Sequence, residues 1–167
     1  GRMRRVGVMV KKIRLSAGRI LRVLGTGHMF NSRRGVISCE AMDLGAQFTT
    51  RPWRTWPGTV ILVLAVAVHS CLSLSALFRR QTLRMKAWEA TQTILGLLIP
   101  LLLSGHVMGT RGLVEIFGLN SGYALELLFL WVFLPVFVLS QPALLLVCWI
   151  HVCVGLHAWL RLRPGYP

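Results

Sequence analysis

Histidines placed in apolar stretches are the residues of this chain best suited to carry chemistry. Of its five histidines, four stand in long apolar segments: His69, His106, His151 and His157. An ionisable side chain at membrane depth is a candidate functional residue. Neutral imidazoles from two helices, on opposite sides of one ring at one depth, are what a membrane haem requires. These residues therefore point to a membrane haem, one group or two, as the cofactor.

The composition predicts the elements that must position these histidines. The chain has 167 residues, is 54% hydrophobic and carries a formal net charge of +14. Its basic residues gather at the ends of apolar segments, where cations meet lipid headgroups. We therefore infer that these basic residues contact the headgroups of a lipid bilayer, and we expect no nucleic-acid partner. The predicted fold class is all-α, a polytopic transmembrane helix bundle.

Four apolar segments are predicted to span the bilayer: residues 59–78, 88–108, 123–139 and 143–160. As one helix, the uncharged stretch from Leu127 to Leu160 would be roughly 50 Å long, too much for one crossing. We expect it to fold back at Ser140-Gln141-Pro142, since proline suits the first turn of a new helix.

The N-terminal part of the chain is strongly basic. Residues 1–22 carry eight lysines and arginines and no acidic residue, which predicts a cytoplasmic N-terminal segment. Residues 23–164 are predicted to form the transmembrane domain. A first helix at about 13–30 contains Arg19 and Arg22, so it either lies on the surface or crosses only when packed against its neighbours.

The predicted topology sorts the histidines by depth. His69 and His151 fall near the middle of their spans, which predicts a pair of ligands for one haem. His106 and His157 fall near the outer face and are candidates for a second haem, and His28 would join them if its segment crosses. His151 and His157 cannot ligate the same iron, because six residues separate them by about 120° and roughly 9 Å along a helix.

Small and basic residues complete the predicted site. Haem is too wide for helices packed about 8–10 Å apart, so small residues such as Gly96, Gly105 and Gly155 are expected on the facing surfaces. Arginines at span ends are candidates to pair with the haem propionates. Those singled out are Arg79, Arg111 and Arg161.

Other interpretations of the same residues stay open. A buried histidine can simply be a hydrogen-bond partner between helices, so a cofactor-free membrane anchor is one alternative. We find no pair of carboxylates, no Ser-His-Asp set and no C-x-x-C pair among the four cysteines. The sequence therefore predicts no catalytic constellation within this chain.

Several blocks of the sequence, in this order and spacing, resemble the N-terminal membrane region of a family of bacterial adenylate cyclases. The blocks are GVISCEAM at 35–42, FRRQTLRM with AWE at 78–89, GHVMGTR at 105–111, and WIH with GLHAWLRLRP at 149–164. In that family a six-helix domain, similar to the cytochrome b anchor of succinate dehydrogenase and fumarate reductase, precedes a plant-type 2Fe-2S ferredoxin domain and a class III cyclase domain.

The resemblance implies a haem-binding regulatory or sensory domain in the bacterial inner membrane, multi-pass, with haem b held by some of the five histidines. Its partner would be the cytoplasmic ferredoxin and cyclase output domain of full-length relatives, and a homodimer is compatible with it. A quinone-linked cytochrome b-type anchor for electron transfer is the alternative. Because the sequence stops at Pro167, before a sixth span, we expect a fragment or a stand-alone remnant.

Overall fold

The computed structural model describes residues 2–119, 122–161 and 163–166, with side chains from Arg5 onward. These residues form helices and connecting turns, and no strand occurs among them, which confirms the all-α prediction. The side chains of Arg2 and Arg4, in the predicted basic segment, lie outside the described residues, as does Leu162.

The α-helices of the described chain differ widely in length. They are α1 (Arg2–Ser32), α2 (Cys39–Thr49), α3 (Arg51–Arg54), α4 (Trp56–Phe78), α5 (Ala87–Val107), α6 (Leu113–Phe117), α7 (Tyr123–Leu128) and α8 (Ser140–Leu160). Single 3₁₀ turns occupy Arg33–Val36 and Pro135–Phe137, and π turns occupy Met108–Gly112 and Phe129–Phe133.

Three helical stretches of the described chain are long and apolar enough to cross a membrane. They are Trp56–Phe78, Ala87–Phe117 and Pro135–Leu160. Many of their large apolar side chains are exposed on the surface of the helices. Leu101 and Val136, for example, are 71% and 78% exposed. Such exposure is costly in water but suits side chains in contact with lipid, so this is a membrane protein whose helices face the bilayer.

The first compact unit, Gly1–Leu83, contains α1 to α4. Helix α1 packs against both α4 and α2. Ala17 on α1 and Ala65 on α4 are buried, as expected where small residues let two helices approach closely. Helix α1 continues without interruption through residue 22, so the predicted basic segment is the first part of this helix and not a separate element.

Side-chain caps fix the starts of two helices in this unit. The Ser38 hydroxyl accepts a hydrogen bond from the Ala41 amide at 3.0 Å and begins α2. The Thr55 hydroxyl accepts one from the Gly58 amide at 3.3 Å and begins α4, with Pro57 in the first turn. Such caps satisfy amides that have no partner within the helix, which is why serine and threonine define these boundaries.

The second compact unit, Arg84–Pro167, is built on α5 and α8, which pack against each other. At one end, the Arg161 guanidinium lies 4.3 Å from the centre of the Trp88 ring. At the other end, His106 Nδ1 lies 2.9 Å from Gln141 Oε1. Because the start of α5 meets the end of α8 and the end of α5 meets the start of α8, the two helices are antiparallel.

Residues 123–139, the predicted fourth span, do not form one continuous helix. Leu134 leaves the helical conformation, with φ −134° and ψ 58°. The reason is Pro135, since the ring of a proline disfavours helical geometry in the residue before it. Helix α8 then begins at Ser140 with Pro142 in its first turn, as the sequence predicted. No complete membrane-spanning helix lies between α5 and α8, so the two helices run antiparallel. A complete span at residues 123–139, as predicted, would have made them parallel.

Candidate functional site

His69 lies at the middle of α4 and faces α1. Its Nδ1 is 3.2 Å from the backbone carbonyl oxygen of Arg14. Because a carbonyl oxygen can only accept, Nδ1 carries the proton and donates it to this bond. A Cβ built on Gly18 would lie 3.2 Å from both Cε1 and Nδ1 of the ring. The imidazole is therefore seated on a part of α1 that has no side chain.

His151 repeats this arrangement on α8. Its Nδ1 lies 3.2 Å from the backbone carbonyl oxygen of Gln92 on α5 and therefore donates as well. A Cβ built on Gly96 would lie 3.0 Å from Cε1 of the ring. The other ring nitrogen, Nε2, accepts from the Gln92 side-chain amide at 3.3 Å. One residue of α5 thus contacts both nitrogens of His151.

The side chain of Gln92 is itself closely enclosed. A Cβ on Gly155 would lie 3.0 Å from its Nε2 atom, so Gln92 is seated over a glycine of α8 as His151 is over a glycine of α5. Its Oε1 atom is buried and has no hydrogen-bond partner among the described residues. A buried acceptor without a partner costs about 1–3 kcal/mol. The Gln92 side chain therefore keeps this position at a cost in the free energy of folding.

His106 and His157 each have a hydrogen-bond contact with a side chain. His106 Nδ1 donates to Gln141 Oε1 at 2.9 Å, which joins α5 to α8. His157 is exposed, and its Nδ1 lies 3.2 Å from the hydroxyl of Tyr166. A hydroxyl can donate or accept, so this contact does not select a tautomer. His28 lies on α1, where its backbone carbonyl accepts from the Ser32 hydroxyl at 3.0 Å.

The prediction that His106 and His157 lie at one depth is wrong. His106 contacts Gln141 in the first turn of α8, whereas His157 is in the last turn. His157 lies sixteen positions after Gln141 on α8, which corresponds to a rise of about 24 Å along the helix. The antiparallel packing of α5 and α8 places these two histidines at opposite ends of the helix pair, so they do not form a ligand pair.

Two of the three arginines predicted to bind propionates have other contacts. Arg111 forms an ion pair with Glu115 one helical turn further on. Arg161 at the end of α8 lies over the Trp88 ring, an arrangement that a cation favours. Arg79 follows the last turn of α4, and its side chain is exposed.

Three of the histidines carry the proton of the neutral ring on the same nitrogen, Nδ1. In His69, His106 and His151, Nδ1 faces an oxygen that can only accept, so in the neutral ring the lone pair is on Nε2. Histidines that bind metals through Nε2 commonly hold the other nitrogen in such a bond, which fixes the tautomer and the ring orientation. Among the described residues, no three His, Cys, Asp or Glu side chains form a group that could hold a metal ion.

The sequence-based interpretation omitted the residues that orient these histidines. Gln92 and Gln141 are amides in or beside apolar segments, and that isolated polarity is a signal that could have identified them. Gly18 gave no comparable signal, because its role depends on the helix that packs against it. The prediction that His69 and His151 share one haem remains a prediction, since each is described within its own unit.

We compared the chain with protein-family models, with curated proteins and with solved structures, and none of the three comparisons gave a match.

Proposed function

We propose that this chain is a haem-binding membrane domain in which His69 and His151 are the imidazole ligands. The supporting observation is that both histidines, in apolar helices, hold Nδ1 in a bond to a backbone carbonyl of the neighbouring helix. That bond leaves the lone pair on Nε2, the atom through which an axial histidine binds iron.

The residues around the two histidines fit this proposal to different degrees. At His69 the hydrogen bond to the Arg14 carbonyl fixes the donor nitrogen, and Gly18 leaves space for the imidazole ring. At His151 the donor nitrogen is fixed in the same way, but Nε2 accepts from the Gln92 amide. Ligation through His151 therefore requires this amide to turn away. The unpartnered Oε1 of Gln92 makes such a rearrangement less costly, because the present position already leaves one buried acceptor unsatisfied.

The proposed role of the domain is regulatory. Haem b would supply a one-electron redox couple at membrane depth. His69 and His151 sit at contacts between helices, so any change in what their Nε2 atoms bind would favour one helix arrangement over another. The resemblance to adenylate cyclase membrane domains supports coupling of such a change to a cytoplasmic output domain. Electron transfer to or from quinone is the alternative use of the same site.

One contact favours a second candidate function, a membrane anchor without cofactor. Both nitrogens of His151 are hydrogen-bonded to Gln92, and that is also the arrangement of a histidine whose role is only to join two helices. Under this alternative the histidines contribute to stability alone, on the order of 1 kcal/mol each.

A haem titration separates the two functions. The purified chain in detergent is titrated with haem b while the Soret absorption is followed, beside a variant in which His69, His106, His151 and His157 are all alanine. We expect saturable binding at one or two haems per chain for the wild type and a loss of saturable binding in the variant. An identical, non-saturable response from both proteins would exclude haem binding and leave the anchor function.

A further inference from the structure

The two units place a histidine against the neighbouring helix in the same way. In each unit the imidazole donates from Nδ1 to the carbonyl of one residue and lies against a glycine four residues later. The pairs are Arg14 with Gly18 in the first unit and Gln92 with Gly96 in the second. Two independent occurrences at contacts between helices call for a common physical reason.

The reason lies in the direction of helix side chains. A backbone carbonyl in an α-helix points toward the amide of the residue four positions later. Side chains tilt toward the helix N-terminus, so the Cβ of that later residue covers the carbonyl from outside. When the later residue is glycine, the carbonyl is open to a donor from another helix. The oxygen then accepts from the imidazole in addition to its bond within the helix.

The distances show how little room is left at both positions. A Cβ on Gly18 would be 3.2 Å from the His69 ring, and one on Gly96 would be 3.0 Å from the His151 ring. Both are shorter than the usual carbon contact of about 3.5–4.0 Å. A side chain at either position therefore requires the ring to shift by a few tenths of an ångström. The hydrogen bond that such a shift strains is already 3.2 Å long in both units.

We propose that Gly18 and Gly96 are positioning residues that hold His69 and His151 as the Nδ1–H tautomer, with the lone pair on Nε2. The reason for fixing this tautomer rests on the proposed function, because the Nε2 lone pair is what a haem iron would bind. The tautomer itself is a property of the protein without haem and can be measured without it.

The tautomers are measured on the ¹⁵N-histidine-labelled chain in detergent micelles, free of haem, at a pH where imidazoles are neutral. The resonances are assigned with His69→Gln and His151→Gln. We expect both residues in the wild type to show a single Nδ1–H tautomer. An Nε2–H tautomer at either residue in the wild type would overturn the proposal, and this result requires no variant to fold.

Matched alanine variants then test the two glycines. Gly18→Ala is compared with Gly25→Ala on α1, and Gly96→Ala with Gly105→Ala on α5, since a Cβ at either control position meets nothing within 4 Å. We expect Gly18→Ala to convert His69 alone to a mixture of tautomers, Gly96→Ala to do so for His151 alone, and the controls to leave both unchanged. Unchanged tautomers in both test variants would contradict the positioning role.

Haem affinity gives the second readout. Loss of a group that orients a metal-binding histidine typically weakens metal binding roughly 10- to 100-fold. We expect a decrease of that size for Gly18→Ala and none for Gly25→Ala. If the tautomers change as expected but the wild type binds no haem, the positioning role of the glycines stands and the haem-binding function fails. If haem binds and the tautomers do not change, the positioning role fails and haem binding stands.

Discussion

His69→Asn is expected to weaken haem binding by more than about 100-fold while the contact between α1 and α4 is retained. Loss of a group outside the ligand shell already weakens metal binding roughly 10- to 100-fold, and loss of the ligand itself should have the larger effect. The asparagine amide nitrogen is the same number of bonds from Cβ as Nδ1 is, so it can still donate to the Arg14 carbonyl, which His69 Nδ1 meets at 3.2 Å. The substitution therefore removes the proposed iron ligand and preserves the hydrogen bond.

The measurement is the haem dissociation constant from Soret titrations, together with the thermal unfolding temperature of the haem-free protein. His69→Ala is the companion variant, since it removes both the ligand and the bond between helices. We expect both variants to lose haem affinity and only His69→Ala to lose haem-free stability. Wild-type haem affinity in His69→Asn would show that His69 serves as a hydrogen-bond partner between helices and not as a ligand.

Gly45→Ala is expected to destabilise the packing of α2 on α1 by about 2–3 kcal/mol. A Cβ at this position would lie 1.9 Å from the Asn31 Oδ1 atom, too close for any arrangement without movement. Asn31 is only 3% exposed, and its side-chain amide donates to the Met42 carbonyl at 3.0 Å. Displacing Asn31 breaks that bond and leaves its polar groups buried without a partner. The free-energy cost exceeds the stabilisation that alanine gives over glycine within a helix.

Hydrogen exchange of the α2 amides measures this effect locally. Gly25→Ala on α1 is the control, because its Cβ meets nothing within 4 Å, and it should stabilise the helix by about 0.5–1 kcal/mol. The double variant with Asn31→Ala relieves the clash, so its destabilisation should be clearly smaller than the sum of the single changes. Equal exchange rates in Gly45→Ala and Gly25→Ala would contradict the packing described here.

The sequence was informative where hydropathy alone decides the structure. Uncharged runs predicted the helices Trp56–Phe78 and Ser140–Leu160 closely, and Pro142 correctly indicated the start of the latter. Hydropathy could not reveal the interruption at Leu134, because the apolar run continues through it without a polar residue. The effect of Pro135 on its predecessor is local geometry, and it changed the direction in which α8 runs relative to α5.

The candidate site was predictable in its residue types but not in its contacts. Gly96 and Gly155 were expected where helices approach closely, and both lie there, whereas a Cβ on Gly105 meets nothing within 4 Å. The partner of His69 is a backbone carbonyl, which every residue has, so no side-chain pattern could identify Arg14. The pairing of His106 with Gln141 depends on helix direction, which the hydropathy pattern did not give.

The central claim is that imidazoles in the apolar helices of this chain bind haem iron through Nε2. It is tested most directly by the dithionite-reduced minus air-oxidised absorption spectrum of membranes that contain the wild-type chain, compared with membranes that contain equal amounts of His69→Asn. The account predicts the difference bands of a low-spin b-type haem in proportion to the wild-type chain, and their loss in the variant. Membranes rich in the wild-type chain that show no such bands above the His69→Asn sample, with haem in adequate supply, would contradict it.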